Sequence, residues 1–503
     1  MNGKKIYGDY QTPLDFSDKI CQFLKDDKNL APETVVEPTC GRGAFLKSAS
    51  CFEPKKRYGI EINKEYCDFC KKYVCDDSCD VINYDFFKFN LSELDLRGNV
   101  LFLGNPPWVT NSELSALNAN NFPNKNNFKK LSGLDAVTGK SNFDICEYII
   151  LQLIEVCLKK DATIAMLCKT SVSRNIYKEM YRKHMACSIF DIYEFDAKKI
   201  FGINASACLL YIRFTTEAKC LSNYNIYSFD EPTQLLKSFI CTGSDFRNTS
   251  CGNVNDFNGK SQFQWRQGIK HDCSKVMELT KTNEHFINGF GEDVFVEDVL
   301  VYPLVKGSAF KKPIINDFSK YVLVTQKKIG ENTDFIKLNY PKTWKYLESY
   351  EEKFANRKSS IYKNSPKFSM FGIGEYSYLR YKVGLSGFYK KPLFSVLYSE
   401  DKKPVMTDDT TYFIGFKDFE DAYVAMLILN SEKVQVFLEN EIFSDAKRPY
   451  TKKMLDKLDF YKIKSTLSFD DIVETEKKLK LSSYVTKEMV HSFYNLEEFN
   501  MLF

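Results

Sequence analysis

Over its first two hundred or so residues the chain alternates short apolar runs with longer amphipathic stretches, a pattern that suits a parallel sheet wound with helices on both faces. Thr34-Val35-Val36-Glu37 reads as a strand entering the turn Pro38-Thr39-Cys40-Gly41-Arg42-Gly43, and residues 44–50 as the start of a helix. Residues 57–62, 81–84, 100–104 and 162–167 read as further strands, with helical periodicity from Lys64 and over 143–158. From about Tyr224 that periodicity weakens and aromatics become dense, with basic-aromatic stretches such as Phe388-Tyr389-Lys390-Lys391-Pro392. The expected organisation is an α/β domain over residues 1–218, a mixed α+β domain over 219–465, and a charged helical segment over 466–503.

Bulk properties narrow the function mainly by exclusion. No apolar run approaches the roughly 18 residues of a membrane-spanning helix, and the opening MNGKKIYGDYQTP lacks the apolar core of a secretory signal. A cytoplasmic protein is expected. The 16 cysteines are scattered through 503 residues and suit reduced thiols. Cys67, Cys70, Cys75 and Cys79 lie close together, but their spacing matches no standard zinc knuckle, so no metal is expected. The four histidines form no HExxH pair and no nucleophile–base pattern, which disfavours histidine-based hydrolysis. A net charge of +4 permits nucleic acid without arguing for it.

Four constellations carry chemistry. In the first, Glu37 ends a strand, and Gly41 and Gly43 let the backbone of the following turn pass close to a nucleoside or amino-acid group. Glu61 ends the next strand about twenty residues on, where a carboxylate can accept both ribose hydroxyls of an adenosine. Asp85 follows a third strand and can accept a 6-amino group, with Phe86 to pack on the ring. The fourth is Leu101-Phe102-Leu103-Gly104-Asn105-Pro106-Pro107-Trp108. An exocyclic aromatic amine is a poor nucleophile, because its lone pair is delocalised into the ring. The Asn105 carboxamide oxygen and the Pro106 carbonyl can each accept one of its N–H bonds and leave the lone pair pointing at a methyl donor. Pro106 and Pro107 fix the turn, and Trp108 offers a face for an extruded base.

These motifs, in this order, resemble the gamma-class amino-methyltransferases of DNA, mostly N6-adenine enzymes of restriction–modification systems. The resemblance covers about residues 6–214 and implies a class I Rossmann-like methyltransferase domain with S-adenosyl-L-methionine as cofactor and S-adenosyl-L-homocysteine as product. Residues 8–13 match the family's N-terminal cofactor motif, implying cofactor contacts by Tyr10, Thr12 and Pro13. The loop match adds Pro38, Cys40 and Phe45 to Glu37, Gly41 and Gly43; Ile62 joins Glu61, Phe86 joins Asp85, and Asn105 also faces the cofactor. Asn105 to Trp108 stands at the (N/D)PPY/F/W catalytic motif, and Phe201 at the place of a phenylalanine that packs on the flipped adenine from the other side.

The second half resembles the family's target-recognition region. Trp265 to Cys273 resembles its opening segment, and residues 371–389 a later one, making Trp265, Arg266, Lys270, Lys382, Lys390 and Lys391 candidate contacts to double-stranded DNA. A monomer acting beside a separate cognate restriction endonuclease is expected. Two signals are set aside. Residues 133–141 end in Gly-Lys-Ser but do not space as a phosphate loop, and fall within a long loop, 109–142, that follows the catalytic motif. Asp196-Ala197-Lys198 carries a nuclease-like D-x-K without its upstream partner. The rival readings are N4-cytosine methylation, modification of a protein glutamine, and a non-catalytic DNA-binding specificity protein.

Overall fold

The computed structural model describes residues 10–109, 144–242, 245–249, 256–282, 285–442 and 448–497. Gly8 and Asp9 of the N-terminal motif, the 109–142 loop beyond Val109, and residues 133–141 within it lie outside the described residues. The chain divides into two compact units, Met1–Ser250 and Cys251–Phe503.

The first unit is built on one ten-stranded sheet in the order β10-β9-β8-β6-β7-β5-β4-β1-β2-β3. At its centre β1 (Thr34–Glu37) pairs in parallel with both β2 (Lys56–Glu61) and β4 (Val100–Gly104). From β1 the chain moves out to β2 and β3 (Cys79–Asn83), then returns to β4 on the other side and β5 (Ala162–Lys169) beyond it. The order therefore reverses between β1 and β4, and ligands of open α/β sheets bind beyond the carboxyl ends of the strands at such a point. Strands β1 and β4 are buried along their whole length, which is why they read as continuous apolar runs rather than as alternation. Strand β7 (Ser206–Phe214) runs antiparallel between β5 and β6 (Ile189–Asp196). Around the sheet lie α1 (Leu14–Asp26), α2 (Ala44–Ser48), α3 (Lys64–Tyr73), α4 (Ile145–Cys157), α5 (Thr170–Arg182) and α6 (Ala197–Phe201). Asn63, Asp144 and Asp196 cap α3, α4 and α6 by accepting from backbone N–H groups one turn in.

The boundary expected near residue 218 falls inside this unit. Strand β8 (Asn223–Ser228) pairs in parallel with β6, and β9 (Leu235–Thr242) and β10 (Asp245–Asn248) extend the same sheet. The change of texture at Tyr224 marks a switch from helix-connected to hairpin-connected strands rather than a new domain. The Tyr224 ring is buried against Tyr177 and stacks on Phe239.

The second unit carries a five-stranded and a six-stranded sheet. The five-stranded sheet includes the strand Tyr381–Ser386, flanked by Ser395–Leu397 and Thr411–Phe416. It packs on the helix Phe419–Asn430, whose residues 422–429 are all buried. From residue 466 the described chain carries the helices Phe469–Lys478 and Lys487–Phe493 and is not a separate part: Ile472, Met489 and Phe493 belong to the same core. Among the described residues, no helix is long and apolar enough to cross a membrane.

Candidate active site

A cavity of about 380 Å³ opens where the strand order reverses, a size in the range of small-molecule sites. Its wall is made by the ends of four strands and the turns after them. Glu37, Pro38, Thr39, Cys40 and Gly41 follow β1, and Ile60 to Asn63 close β2. Tyr84 to Phe87 follow β3, and Asn105, Pro107 and Val109 follow β4. Tyr10, Gln11 and Thr12 from the N-terminal segment and Ile145 and Ile149 of α4 complete it.

The turn after β1 works by close approach. Gly41 has φ +52, a left-handed conformation that favours glycine, and the turn there passes close to the Gln11 side chain, 2.8 Å from where a Cβ would stand. Glu61 braces this loop: its Oε2 accepts from Gly41 N at 2.7 Å and its Oε1 from Asn63 N at 2.7 Å. Glu37 accepts from Leu46 N at 3.1 Å, and burial pushes its carboxyl well above the usual range. Asp85 Oδ1 accepts from Phe87 N at 3.0 Å, which holds the carboxylate at the rim. The Thr39 hydroxyl is buried without a hydrogen-bond partner.

Asn105 is the centre of the arrangement. Its Nδ2 donates to the Tyr10 carbonyl at 2.9 Å and to Thr12 Oγ1 at 3.3 Å. Because a carbonyl only accepts, the donor end must face Tyr10, and the orientation of the amide follows. The oxygen, Oδ1, is buried and has no hydrogen-bond partner. A buried acceptor without a donor is costly, which makes it a natural seat for an incoming N–H.

Trp108 and Phe201 lie together, with ring centroids 5.6 Å apart in an edge-to-face contact, and the Tyr10 ring lies 6.1 Å from Trp108 and 6.4 Å from Phe201. A base sandwiched between two rings needs them roughly 7 Å apart, twice the contact distance between carbon atoms. The pair as it stands is closed and must part to admit one.

The cavity wall includes neither Pro13, Pro106, Trp108 and Phe201 nor Gly43 and Phe45. Gly43 starts α2 with φ +74, and a Cβ there would lie 2.9 Å from Cys70 Sγ; Phe45 is buried beneath the loop. Sequence reasoning missed Thr39, Asn63 and Tyr66, and missed Lys169 and Asp144. Lys169 Nζ donates to the Trp108 carbonyl at 3.1 Å and to Asp144 Oδ2 at 2.8 Å. The clustered cysteines Cys40, Cys67, Cys70 and Cys79 pack as an apolar group.

In the second unit two expected DNA contacts are corrected. Trp265 is 0% exposed in the core, and Lys382 is 1% exposed, its Nζ donating to the Leu379 carbonyl at 2.7 Å. Neither reaches a surface, and both faces of the strand Tyr381–Ser386 that carries Lys382 are covered. Arg266 is half-buried, its guanidinium 4.3 Å from the Tyr376 ring centre, and Lys270 pairs with Asp272 at 3.5 Å. Lys390 and Lys391 are exposed beside Phe388 and Tyr389, 37% and 36% exposed.

The sheet, with its strand order and its binding turns after β1 to β4, is the fold of the class I S-adenosylmethionine-dependent methyltransferases, here joined to a further domain. The type II methyltransferase M.NspV of Nostoc sp. (strain ATCC 29411 / PCC 7524) is 41% identical over 475 residues, covering 91% of this chain and 96% of its own length. The chain therefore belongs to the type II methyltransferases, and is a DNA methyltransferase of the restriction–modification kind. Modification methylase CviBIII of Paramecium bursaria Chlorella virus NC1A is 23% identical over 181 residues, or 36% of this chain and 42% of its own. A solved structure of the type IIL restriction-modification enzyme MmeI in complex with DNA superposes with a TM-score of 0.51 at 12% identity, covering 97% of this chain and 76% of that one. No family model matches the chain.

Proposed function

We propose that the chain methylates the N6 amino group of an adenine flipped out of duplex DNA, using S-adenosyl-L-methionine and releasing S-adenosyl-L-homocysteine, and so protects host DNA from a cognate endonuclease. The observation that carries this reading is the buried, unpartnered Oδ1 of Asn105 at the end of β4.

The residues present fit the cofactor. Glu61 lines the cavity with a carboxylate suited to ribose hydroxyls, Asp85 lines it with one suited to an amino group, and Thr39 holds a buried hydroxyl without a partner. When bound, S-adenosylmethionine supplies an electrophilic sulfonium methyl. The protein's task is then to present an amine whose lone pair is free. Asn105 Oδ1 accepts one N–H and the Pro106 carbonyl the other, which draws the nitrogen away from conjugation with its ring. Trp108 and Phe201 part and grip the base from its two sides, offsetting the few kcal/mol that extrusion costs. No covalent enzyme intermediate is required; positioning and hydrogen bonding carry the rate.

The decisive experiment is methyl transfer from labelled cofactor to duplex DNA, followed by nucleoside analysis. N6-methyladenine is the expected product. N4-methylcytosine would keep the site and overturn the base, and no label in any DNA, with cofactor bound, would overturn the substrate.

The second unit is proposed to read the target, with monomeric action beside a separate nuclease. Of the candidates left, Arg266 and Lys270 are half-buried, and Lys390 and Lys391 are the exposed ones offered to phosphates. Changing both to glutamine is expected to lower the slope of log K against log salt by about 2, one per phosphate contact. Titrations of DNA binding between low and moderate salt measure this, and an unchanged slope removes both lysines from the interface.

A further inference from the structure

We infer that Lys169 is a positioning residue that fixes Trp108 in place for the base. The inference rests on the reading of Trp108 given above.

Trp108 is held to β5 at two points. Its indole Nε1 donates to the Leu167 carbonyl at 3.4 Å, and its own carbonyl accepts from Lys169 Nζ at 3.1 Å. Residues 167 and 169 are two apart on one strand, so one edge of β5 grips both the side chain and the backbone of the same tryptophan. The ammonium of Lys169 also pairs with Asp144 Oδ2 at 2.8 Å, while Asp144 Oδ1 accepts from Cys146 N at 3.1 Å and caps α4. The next residue, Ile145, donates its N–H to the Val109 carbonyl at 2.9 Å. One lysine thus ties together the turn after β4, the end of β5 and the start of α4. The pair is largely withdrawn from water, with side chains 29% and 10% exposed, so the contacts are little screened.

The electrostatics favour a held geometry. Burial pushes the Asp144 carboxyl up, and Lys169 pulls it back down. A neutral side chain at 169 would take the lysine donor away from Asp144 Oδ2 and from the Trp108 carbonyl, leaving Asp144 with its cap bond from Cys146 N. Opening the Trp108–Phe201 contact requires movement of one ring; the double attachment of Trp108 leaves Phe201, on the short helix α6, as the partner that yields.

The test uses the whole chain, with labelled cofactor and duplex DNA. Lys169→Met is expected to lower kcat by about tenfold or more, since misplacing a positioned group by about 1 Å can cost about 10². Cofactor affinity, by calorimetry with S-adenosylhomocysteine, is expected to stay within about threefold, and Lys169→Arg, which keeps donors within reach, is expected to restore most of the rate. Asn175→Ala serves as control, because Asn175 Nδ2 links α5 to Glu147 of α4 at 3.0 Å without touching Trp108. Fluorine NMR of 5-fluorotryptophan protein gives a second readout: of the three tryptophan signals, only that of Trp108, assigned with Trp108→Phe, is expected to shift in Lys169→Met. Unchanged kcat, or equal loss of cofactor affinity and kcat, overturns the inference. Should Lys169→Met not fold, Asp144→Asn is expected to move the Trp108 signal and kcat in the same direction, and a wild-type result there overturns it too. If the wild type methylates no DNA, the functional reading has failed, and the Trp108 signal alone decides the positioning role.

Discussion

Asn105→Ala is expected to lower methyl transfer by about 10²–10³-fold, the loss typical when one preorganised hydrogen-bonding group is removed from a developing charge. The expectation follows from two separate jobs done by one amide. Its oxygen is buried and free, so it is available to the target amine. Its nitrogen is spent on Tyr10 and Thr12, which fastens the N-terminal segment over the cavity. Alanine removes both, so the bracing loss must be separated from the chemical one. Thr12→Val cuts only the longer contact and is expected to leave kcat within about threefold, in line with a single exposed-side hydrogen bond of about 1 kcal/mol or less. Asn105→Asp keeps an acceptor but replaces the donor facing the Tyr10 carbonyl with a second acceptor, and is expected to lose cofactor affinity as well as rate. The checks are single-turnover transfer and S-adenosylhomocysteine calorimetry for each variant. If Asn105→Ala retains more than about a tenth of the wild-type rate, the free oxygen is not the amine's acceptor and the proposed mechanism fails.

Much of this site was legible because of how parallel sheets are made. Strands buried on both faces read as short apolar runs, and the residues that follow them are the ones that reach a ligand at the carboxyl edge. Glu37, Glu61, Asp85 and Asn105 each end or follow such a run, and all four line one cavity. What could not be read is what depends on distant partners. Lys169 acts on a carbonyl 61 positions earlier, and nothing local distinguishes it from a lysine at a strand end. The domain boundary was missed for a related reason: β8 to β10 lose helical periodicity, yet their hydrogen bonds return them to the first sheet. In the second unit the resemblance offered Lys382 to DNA, but the strand Tyr381-Lys382-Val383-Gly384-Leu385-Ser386 is covered on both faces, a burial set by distant elements.

The covered face gives the second large effect. Lys382 is withdrawn from water; its Nζ donates to the Leu379 carbonyl, the Phe413 ring centre is 5.7 Å away, and among the described residues no carboxylate pairs with it. Burial alone pushes its ammonium down to about 7 from the ordinary 10.5. Charging it in the folded state therefore costs on the order of 4 kcal/mol. The unfolded chain holds this proton up to about pH 10.4, while the folded chain releases it from about pH 7 upward. Between those values the unfolded state binds more protons, so this group makes the second unit more stable as pH rises, and its full penalty stands below pH 7. Buried tyrosines such as Tyr378 and Tyr450, whose hydroxyls burial pushes up, act in the opposite sense once the unfolded chain begins to lose its phenolic protons near pH 10. The difference between wild type and Lys382→Met cancels such shared titrations. Methionine removes the charge and is one heavy atom shorter, so Lys382→Met is expected to raise the unfolding midpoint of this unit by roughly 8–16 °C at pH 6.5, given about 2–4 °C per kcal/mol at this size. The gain is expected to shrink steadily toward pH 9.5. Trp265 and Trp344, both buried in this unit, report its unfolding by fluorescence. A gain that does not change with pH would mean that Lys382 is charged in the folded state, stabilised by something other than the Leu379 carbonyl. No gain at all would mean that the stem, not the ammonium, decides the fit.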